Sequence, residues 1–316
     1  MEFYLAPMEG ITGYIYRQAH DKYFHTVDRY ITPFIAPNQN RCMNSREKQD
    51  VLPEHNQNMA VVPQIMANQA LVFLKTCQEL QEMGYSEVNL NLGCPSGTVV
   101  AKKRGAGLLG ELEMLERFLE EIFAKSPVEI SIKTRIGLER PEEFQKLLAV
   151  YNQYPVKELI IHPRLQKDYY NKKPNWEVFK EAVRDSRAPL CYNGDLFTEK
   201  DYRQLVDTFP GLGKVMLGRG VLVNPNLIGR IRDGRELSKD TLYQFHDQLF
   251  REYGEILSGG RNLLFKMKEL WFYMCHVFTN PDKYYKRMKK AEKLSVYQSA
   301  VEAIFEEQSL KEGYNS

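Results

Sequence analysis

The chain has 316 residues, 43% of them hydrophobic, with 43 Lys and Arg against 41 Asp and Glu. That make-up excludes a disordered or collagen-like chain and leaves room for one large and one small domain; at a net charge of +2, any polyanion must be met by a local basic patch. Five cysteines without a C-x-x-C pair argue against a zinc site or disulfide framework and for a reducing compartment. Residues 1–7 show no signal-peptide pattern, and no apolar run exceeds 270–274, so a cytoplasmic, metal-free monomer off the membrane is expected.

Short β-prone runs predict strands over 3–6, 29–32, 61–66, 87–92, 129–134, 158–162, 189–192 and 214–217. Helical stretches separate them at 70–83, 111–124, 142–151, 176–184 and 200–208. Alternation of helices with doubly buried strands points to a parallel sheet. Eight such units in about 230 residues fit a closed (β/α)8 TIM barrel; an open doubly wound sheet is the alternative. Beyond Arg235 the pattern changes. Leu242, Phe245, Leu249, Phe250, Tyr253, Ile256 and Leu257 share one helical face, Gly259-Gly260 ends it, and helices follow over 261–278, 281–293 and 294–307. The predicted organisation is a TIM-barrel domain over 1–235 and an all-helical domain over 236–316.

In a barrel the residues at the strands' C-terminal ends share one mouth. Here they are Pro7-Met8-Glu9, Gln64, Asn91 with Cys94, Lys133 with Arg135, His162 with Arg164, Asn193-Gly194-Asp195 and Gly218-Arg219. Each has a plain structural explanation: a buried cysteine, a satisfied core amide, a snorkelling lysine, a structural histidine, a turn. Together they cohere as a site. Asn193-Gly194-Asp195 and Gly218-Arg219 stand where such barrels hold a phosphate, on backbone N–H groups and an arginine. Lys133 would then lie by a flavin's N1/C2=O edge, with Gln64 on the pyrimidine edge and Pro7-Met8 as apolar floor, which implies FMN. Gly105-Ala106-Gly107-Leu108-Leu109-Gly110 satisfies G-x-G-x-x-G, yet it does not directly follow its strand, as a dinucleotide fingerprint must.

These motifs resemble the tRNA-dihydrouridine synthase family, in order and spacing, over essentially the whole chain. They are Leu5-Ala6-Pro7-Met8-Glu9-Gly10, Pro63-Gln64-Ile65, Asn89-Leu90-Asn91-Leu92-Gly93-Cys94-Pro95, Gly105-Ala106-Gly107, Ser131-Ile132-Lys133-Thr134-Arg135-Ile136-Gly137, Ile161-His162-Pro163-Arg164, Tyr192-Asn193-Gly194-Asp195 and Met216-Leu217-Gly218-Arg219-Gly220. The Pro-Met-Glu-Gly opening resembles one bacterial branch, and His162-Pro163-Arg164 departs from the usual family pattern on the substrate side. The resemblance implies reduction of the C5–C6 bond of a uridine in tRNA, with NADPH recharging FMN and Cys94 protonating C5. A thiol is a suitable weak acid for protonating carbon. Asn91 is expected to hydrogen-bond a uracil that must leave its stack. Further substrate contacts are expected from Arg135, Arg164, Lys102 and Arg104. Lys286, Arg287, Lys289 and Lys290, interleaved with Tyr284 and Tyr285, are expected to bind tRNA by phosphate contact and stacking.

Two rival readings stay open on the residues alone. A small-molecule flavoenzyme of the dihydroorotate dehydrogenase type shares the barrel and the cofactor but has no use for a basic helical tail. A tRNA-binding protein without catalysis has no use for Cys94, Lys133, His162 and Arg219 together.

Overall fold

A computed structural model describes residues 1–311 and divides the chain into two compact units. One comprises residues 1–9, 28–194 and 211–216; the other comprises 10–27, 195–210 and 217 onward.

The first unit is built on parallel strands β1 (Glu2–Leu5), β2 (Arg29–Ile31), β3 (Val61–Val62), β4 (Gln64–Ile65), β5 (Glu87–Leu92), β6 (Glu129–Arg135), β7 (Leu159–His162), β8 (Leu190–Asn193) and β9 (Lys214–Leu217). Their order is β3-β2-β1-β9-β8-β7-β6-β5-β4. The two ends of that order are separated in sequence only by Pro63, which has no N–H to give to a ladder. Counted across Pro63, the single predicted strand over 61–66 closes an eight-stranded TIM barrel. Amphipathic helices such as Ala70–Glu82, Leu112–Lys125 and Trp176–Asp185 follow the strands and bury one face each. Asn193, expected just past its strand, is the last residue of β8.

Register decides which side chains fill the barrel, because alternate residues of a strand face opposite sides. Gln64 pairs with Asn89, Asn89 with Ser131, Asn91 with Lys133, and Arg135 with His162. Tyr4, Ala6, Ile31, Val62, Ile160, Cys191 and Met216 form a buried cluster inside. At the strands' N-terminal end, buried Glu158 accepts from the Tyr4 hydroxyl at 3.1 Å and Lys214 Nζ at 2.5 Å. Buried Glu87 meets Arg29 at 2.9 Å and Lys157 at 3.1 Å. Carboxylates at that end are thus neutralised where charge would otherwise be costly to bury.

The second unit is helical, with Tyr14–Phe24, Lys239–Ile256, Gly260–Met274, Asp282–Lys290 and Leu294–Glu307 among its elements. Phe245 packs edge-on against Tyr16 and Phe24. Deeper in, the Tyr297 hydroxyl accepts from Trp271 Nε1 at 2.8 Å and donates to His246 Nε2 at 2.6 Å. Burial pushes His246 down to about 3, so its ring is neutral and able to accept. No helix among the described residues is long and apolar enough to cross a membrane.

Candidate active site

Gln64, Asn89, Asn91 and Ser131 make a continuous polar chain across β4, β5 and β6. Asn91 Nδ2 donates to Gln64 Oε1 at 2.7 Å, Gln64 Nε2 to Asn89 Oδ1 at 2.8 Å, and Asn89 Nδ2 to Ser131 Oγ at 3.0 Å. All four are buried, and their mutual bonds meet the demand that buried polar groups be paired. Asn91 Oδ1 accepts the N–H groups of Gly93 at 3.0 Å and Cys94 at 2.9 Å. The principal work of Asn91 is therefore to fold the turn that carries the thiol. Asn89 and Ser131 were legible only as strand residues, although Asn89-Leu90-Asn91 already places two amides on one face.

Cys94 is half-buried, and burial raises its pKa while a backbone N–H at Ser96 and the charge of Arg135 pull the other way. The thiol stays protonated at neutral pH, as a proton donor requires and a thiolate nucleophile does not. Lys133, beside Asn91 in register, is half-buried and has no hydrogen-bond or ion-pair partner among the described residues. Burial, and secondarily Arg135, push its pKa down to about 8. An unpaired, desolvated ammonium calls for an acceptor.

The glycine motif that mimics a dinucleotide fingerprint has another task. Gly105 has φ +53°, and a Cβ there would lie 2.9 Å from Cys94 Cβ. The backbone of Gly105-Ala106 thus packs directly on the Cys94 turn, with the Ala106 N–H donating to the Cys94 carbonyl at 3.0 Å. Gly194 is likewise constrained by packing, since a Cβ would fall 2.0 Å from the Tyr192 hydroxyl, which accepts from Trp176 Nε1 at 2.9 Å.

Arg135 and Arg164, expected to meet substrate, are instead buried at 1% exposure. Arg135 donates from Nε to Gly93 O at 2.9 Å, from Nη1 to Leu165 O at 2.8 Å and from Nη2 to Tyr169 O at 3.0 Å. Arg164 donates to Lys172 O at 2.5 Å and to His162 Nε2 at 2.9 Å. A guanidinium only donates, so Nε2 of His162 accepts and the ring carries its proton on Nδ1. Both arginines hold backbone and ring in place at the barrel mouth.

Pro7 and Met8 are half-buried at the end of β1, and exposed Glu9 is bonded to Arg46. The Asn193 amide donates to Met216 O at 2.9 Å. Within the helical unit, Gly218 precedes the helix Arg219–Val223, and Arg219 meets Asp195 at 2.5 Å and stacks over Phe197. On the loop after β5, Lys102 is exposed and Arg104 half-buried, while Lys103 pairs with Glu111 at 2.8 Å.

The basic segment forms the helix Asp282–Lys290, with Tyr284 and Met288 on its buried face. The Tyr284 ring is buried at 3% exposure, which leaves no face for stacking on a base, and its hydroxyl donates to Glu307 Oε2 at 2.5 Å. Lys286, Arg287, Lys289 and Lys290 are exposed, without an ion-pair partner among the described residues. Exposed aromatics lie instead on Gly260–Met274, where Phe265, stacked by Arg261, and Phe272 are one heptad apart. Among the described residues, no group of three or more His, Cys, Asp or Glu could hold a metal ion.

A family model described as Dihydrouridine synthase (Dus) matches residues 4–312. The chain is 28% identical over 266 residues to the tRNA-dihydrouridine(16) synthase of Pseudomonas putida, covering 80% of each chain. It is 28% identical over 264 residues to a probable tRNA-dihydrouridine synthase of Staphylococcus aureus (strain COL), covering 79% of this chain and 78% of that one. Two solved structures share the fold. Morphinone reductase in complex with tetrahydroNAD has a TM-score of 0.53 at 14% identity, over 75% of this chain and 88% of that one. Histamine dehydrogenase from Rhizobium sp. 4-9 has a TM-score of 0.55 at 12% identity, over 74% and 46%.

Proposed function

The chain belongs to the dihydrouridine synthase family, and from that membership we propose that it is an FMN-dependent enzyme reducing the C5–C6 double bond of a uridine in tRNA, with NADPH as electron donor and Cys94 as the proton donor to C5. The observation that carries this reading is the unpaired Lys133 ammonium at the barrel mouth, in the same layer as the amide chain and beside the turn of a protonated thiol. A cation without an acceptor fits a cofactor edge that gains negative charge, and Gln64 and Asn91 each keep one amide N–H beyond the bonds they already make.

Bound FMN would supply the hydride for C6. Lys133 would hold positive charge beside the cofactor, and His162, whose ring is oriented by Arg164 at Nε2, would line the same mouth. Pro7 and Met8 supply apolar surface. The phosphate-holding role of Asn193, Gly194, Asp195, Gly218 and Arg219 is proposed on their chemistry: a phosphate competes with Asp195 for the Arg219 guanidinium. Asn91 fixes the turn that aims the Cys94 thiol, and the uridine must leave its stack to lie under it. The protein as purified should be yellow, and heat-denatured supernatant should release FMN as judged by chromatography against FMN and FAD. A colourless protein that takes up no flavin would overturn the reading.

The exposed cations of Asp282–Lys290 are proposed to meet tRNA phosphates. Replacing Lys286, Arg287, Lys289 and Lys290 together by Gln should raise the KM for tRNA and lower the slope of log KM against log salt. Each lost phosphate contact removes roughly 0.7–0.9 from that slope. Flavin content should not change. An unchanged slope would make these residues a solvated face and move tRNA contact to the Lys102 and Arg104 loop.

A further inference from the structure

The Cys94 turn and the loop that follows β7 are separate in sequence, yet one side chain bonds to both. Arg135 stands at the end of β6, between them in the barrel, and its three kinds of nitrogen reach three carbonyls. One belongs to Gly93, immediately before the thiol, at 2.9 Å; the others belong to Leu165 at 2.8 Å and Tyr169 at 3.0 Å. Gln166 adds a second strap, its Nε2 donating to Pro95 O at 2.8 Å. Of the two residues flanking Cys94, Gly93 is thus held through its carbonyl by Arg135 of β6 and Pro95 through its carbonyl by Gln166 of the 165–169 segment, and the Gly105 backbone packs against Cys94 Cβ.

The far end of this linkage is at the surface. Tyr169 is 43% and Tyr170 44% exposed, and the Arg135 guanidinium lies 5.5 Å from the Tyr170 ring. Tyr169 has φ +46° with ψ −99°, a conformation that a β-carbon disfavours and that persists only where its surroundings impose it. Those surroundings are the Arg135 bond to its carbonyl, the Asp168 carboxylate accepting from Leu165 N at 3.1 Å, and the Arg164 bond to Lys172 O. A buried guanidinium with one backbone bond from each of its three nitrogens is costly to leave half-bonded, which ties the two segments to each other.

We infer that Arg135 is a positioning residue that couples the loop 163–173 to the Cys94 turn, so that contact at the exposed Tyr169–Tyr170 tip sets where the thiol stands. The significance for turnover rests on the reading of Cys94 as proton donor; the linkage itself does not. Substrate seated against the tip aims the thiol, and the same arginine keeps a positive charge near it.

The test is alkylation of Cys94 by iodoacetamide in the full-length protein, followed by peptide mass across a pH series without tRNA. Arg135→Lys keeps the charge but has a single donor centre, so it cannot span three carbonyls. It should change the Cys94 alkylation rate by about fivefold or more and shift its pH profile, while Cys42 serves as internal reference. Asp168→Ala, which loosens the loop from its far side, should change the Cys94 rate about threefold in the wild-type background and have no further effect in Arg135→Lys. Independent, additive effects, or a wild-type profile in Arg135→Lys, would overturn the linkage. Should Arg135→Lys not fold, Asp168→Ala alone decides, an unchanged Cys94 rate overturning it. If the cycle shows coupling but Cys94→Ala still makes dihydrouridine, the linkage stands and the proton-donor role falls.

Discussion

Cys94→Ala is expected to bind flavin as the wild type does, to be reduced by NADPH, and to form dihydrouridine about 10²–10⁴-fold more slowly. The turn survives the change because Asn91 grips the backbone N–H groups of residues 93 and 94, not the sulfur. What is lost is a protonated acid at the one place where the turn, the Gly105 backbone and the Arg135 fork converge. Cys191 cannot substitute: it is fully buried inside the barrel, and burial raises its pKa well above the ordinary thiol value. The measurement is dihydrouridine per tRNA over time, with flavin absorbance as the control for folding. Loss of flavin in the variant would give Cys94 a structural role, and wild-type rates would remove it from the chemistry.

Lys133→Met should slow the tRNA-dependent step about 10²–10³-fold, the scale seen when one preorganised charge-stabilising donor is deleted. Methionine keeps most of the stem's length and packing, so the barrel is expected to hold. The pH dependence supplies a sharper signature. The Lys133 pKa lies at about 8, below the usual lysine value, because burial penalises the charged form. An anionic cofactor edge beside the ammonium would raise that value, so the step should hold its plateau at least up to about pH 8 and the rate should fall as pH rises through the higher pKa of the flavin-bound lysine, where the charge is lost. In Lys133→Met that fall should disappear, leaving only a decline at higher pH where the Cys94 thiol ionises. Rapid-mixing rates across pH would show it. A wild-type profile retained in Lys133→Met would assign the titration to another group.

Much of this was written in the chain. Strand and helix periodicities gave the barrel because doubly buried parallel strands are apolar on both faces, and polar residues stood out at their ends. That Asn89 shares a face with Asn91, and Ser131 with Lys133, follows from counting by twos along each strand. What the pattern did not reveal was the destination of each polar group. Arg135 and Arg164 look like ligands in a list of strand ends, yet three-dimensional closure turns them onto backbone carbonyls. Tyr284 looks like a stacking residue in a basic run, yet a nine-residue helix must bury one face, and Tyr284 with Met288 is that face. The run from Gly105 to Gly110 could be set aside as a dinucleotide fingerprint from its spacing alone, but that Gly105 leaves room for Cys94, and Gly194 for Tyr192, is a non-local fact that no local rule identifies. Strand β3 ends at Pro63 for a reason visible in sequence, but its continuation as β4 depends on pairing with β5, a non-local event.

In the proposed reaction a reduced flavin in this barrel hands its electrons to a uridine in tRNA, with Cys94 completing the reduction. Its most direct test mixes NADPH-reduced protein, without oxygen, with tRNA lacking dihydrouridine, and follows flavin reoxidation and dihydrouridine by mass. Reoxidation by tRNA with one dihydrouridine formed per flavin reoxidised, and little of either in Cys94→Ala, is the expected result. Reduced flavin unaffected by such tRNA, but reoxidised by a free pyrimidine, would contradict it.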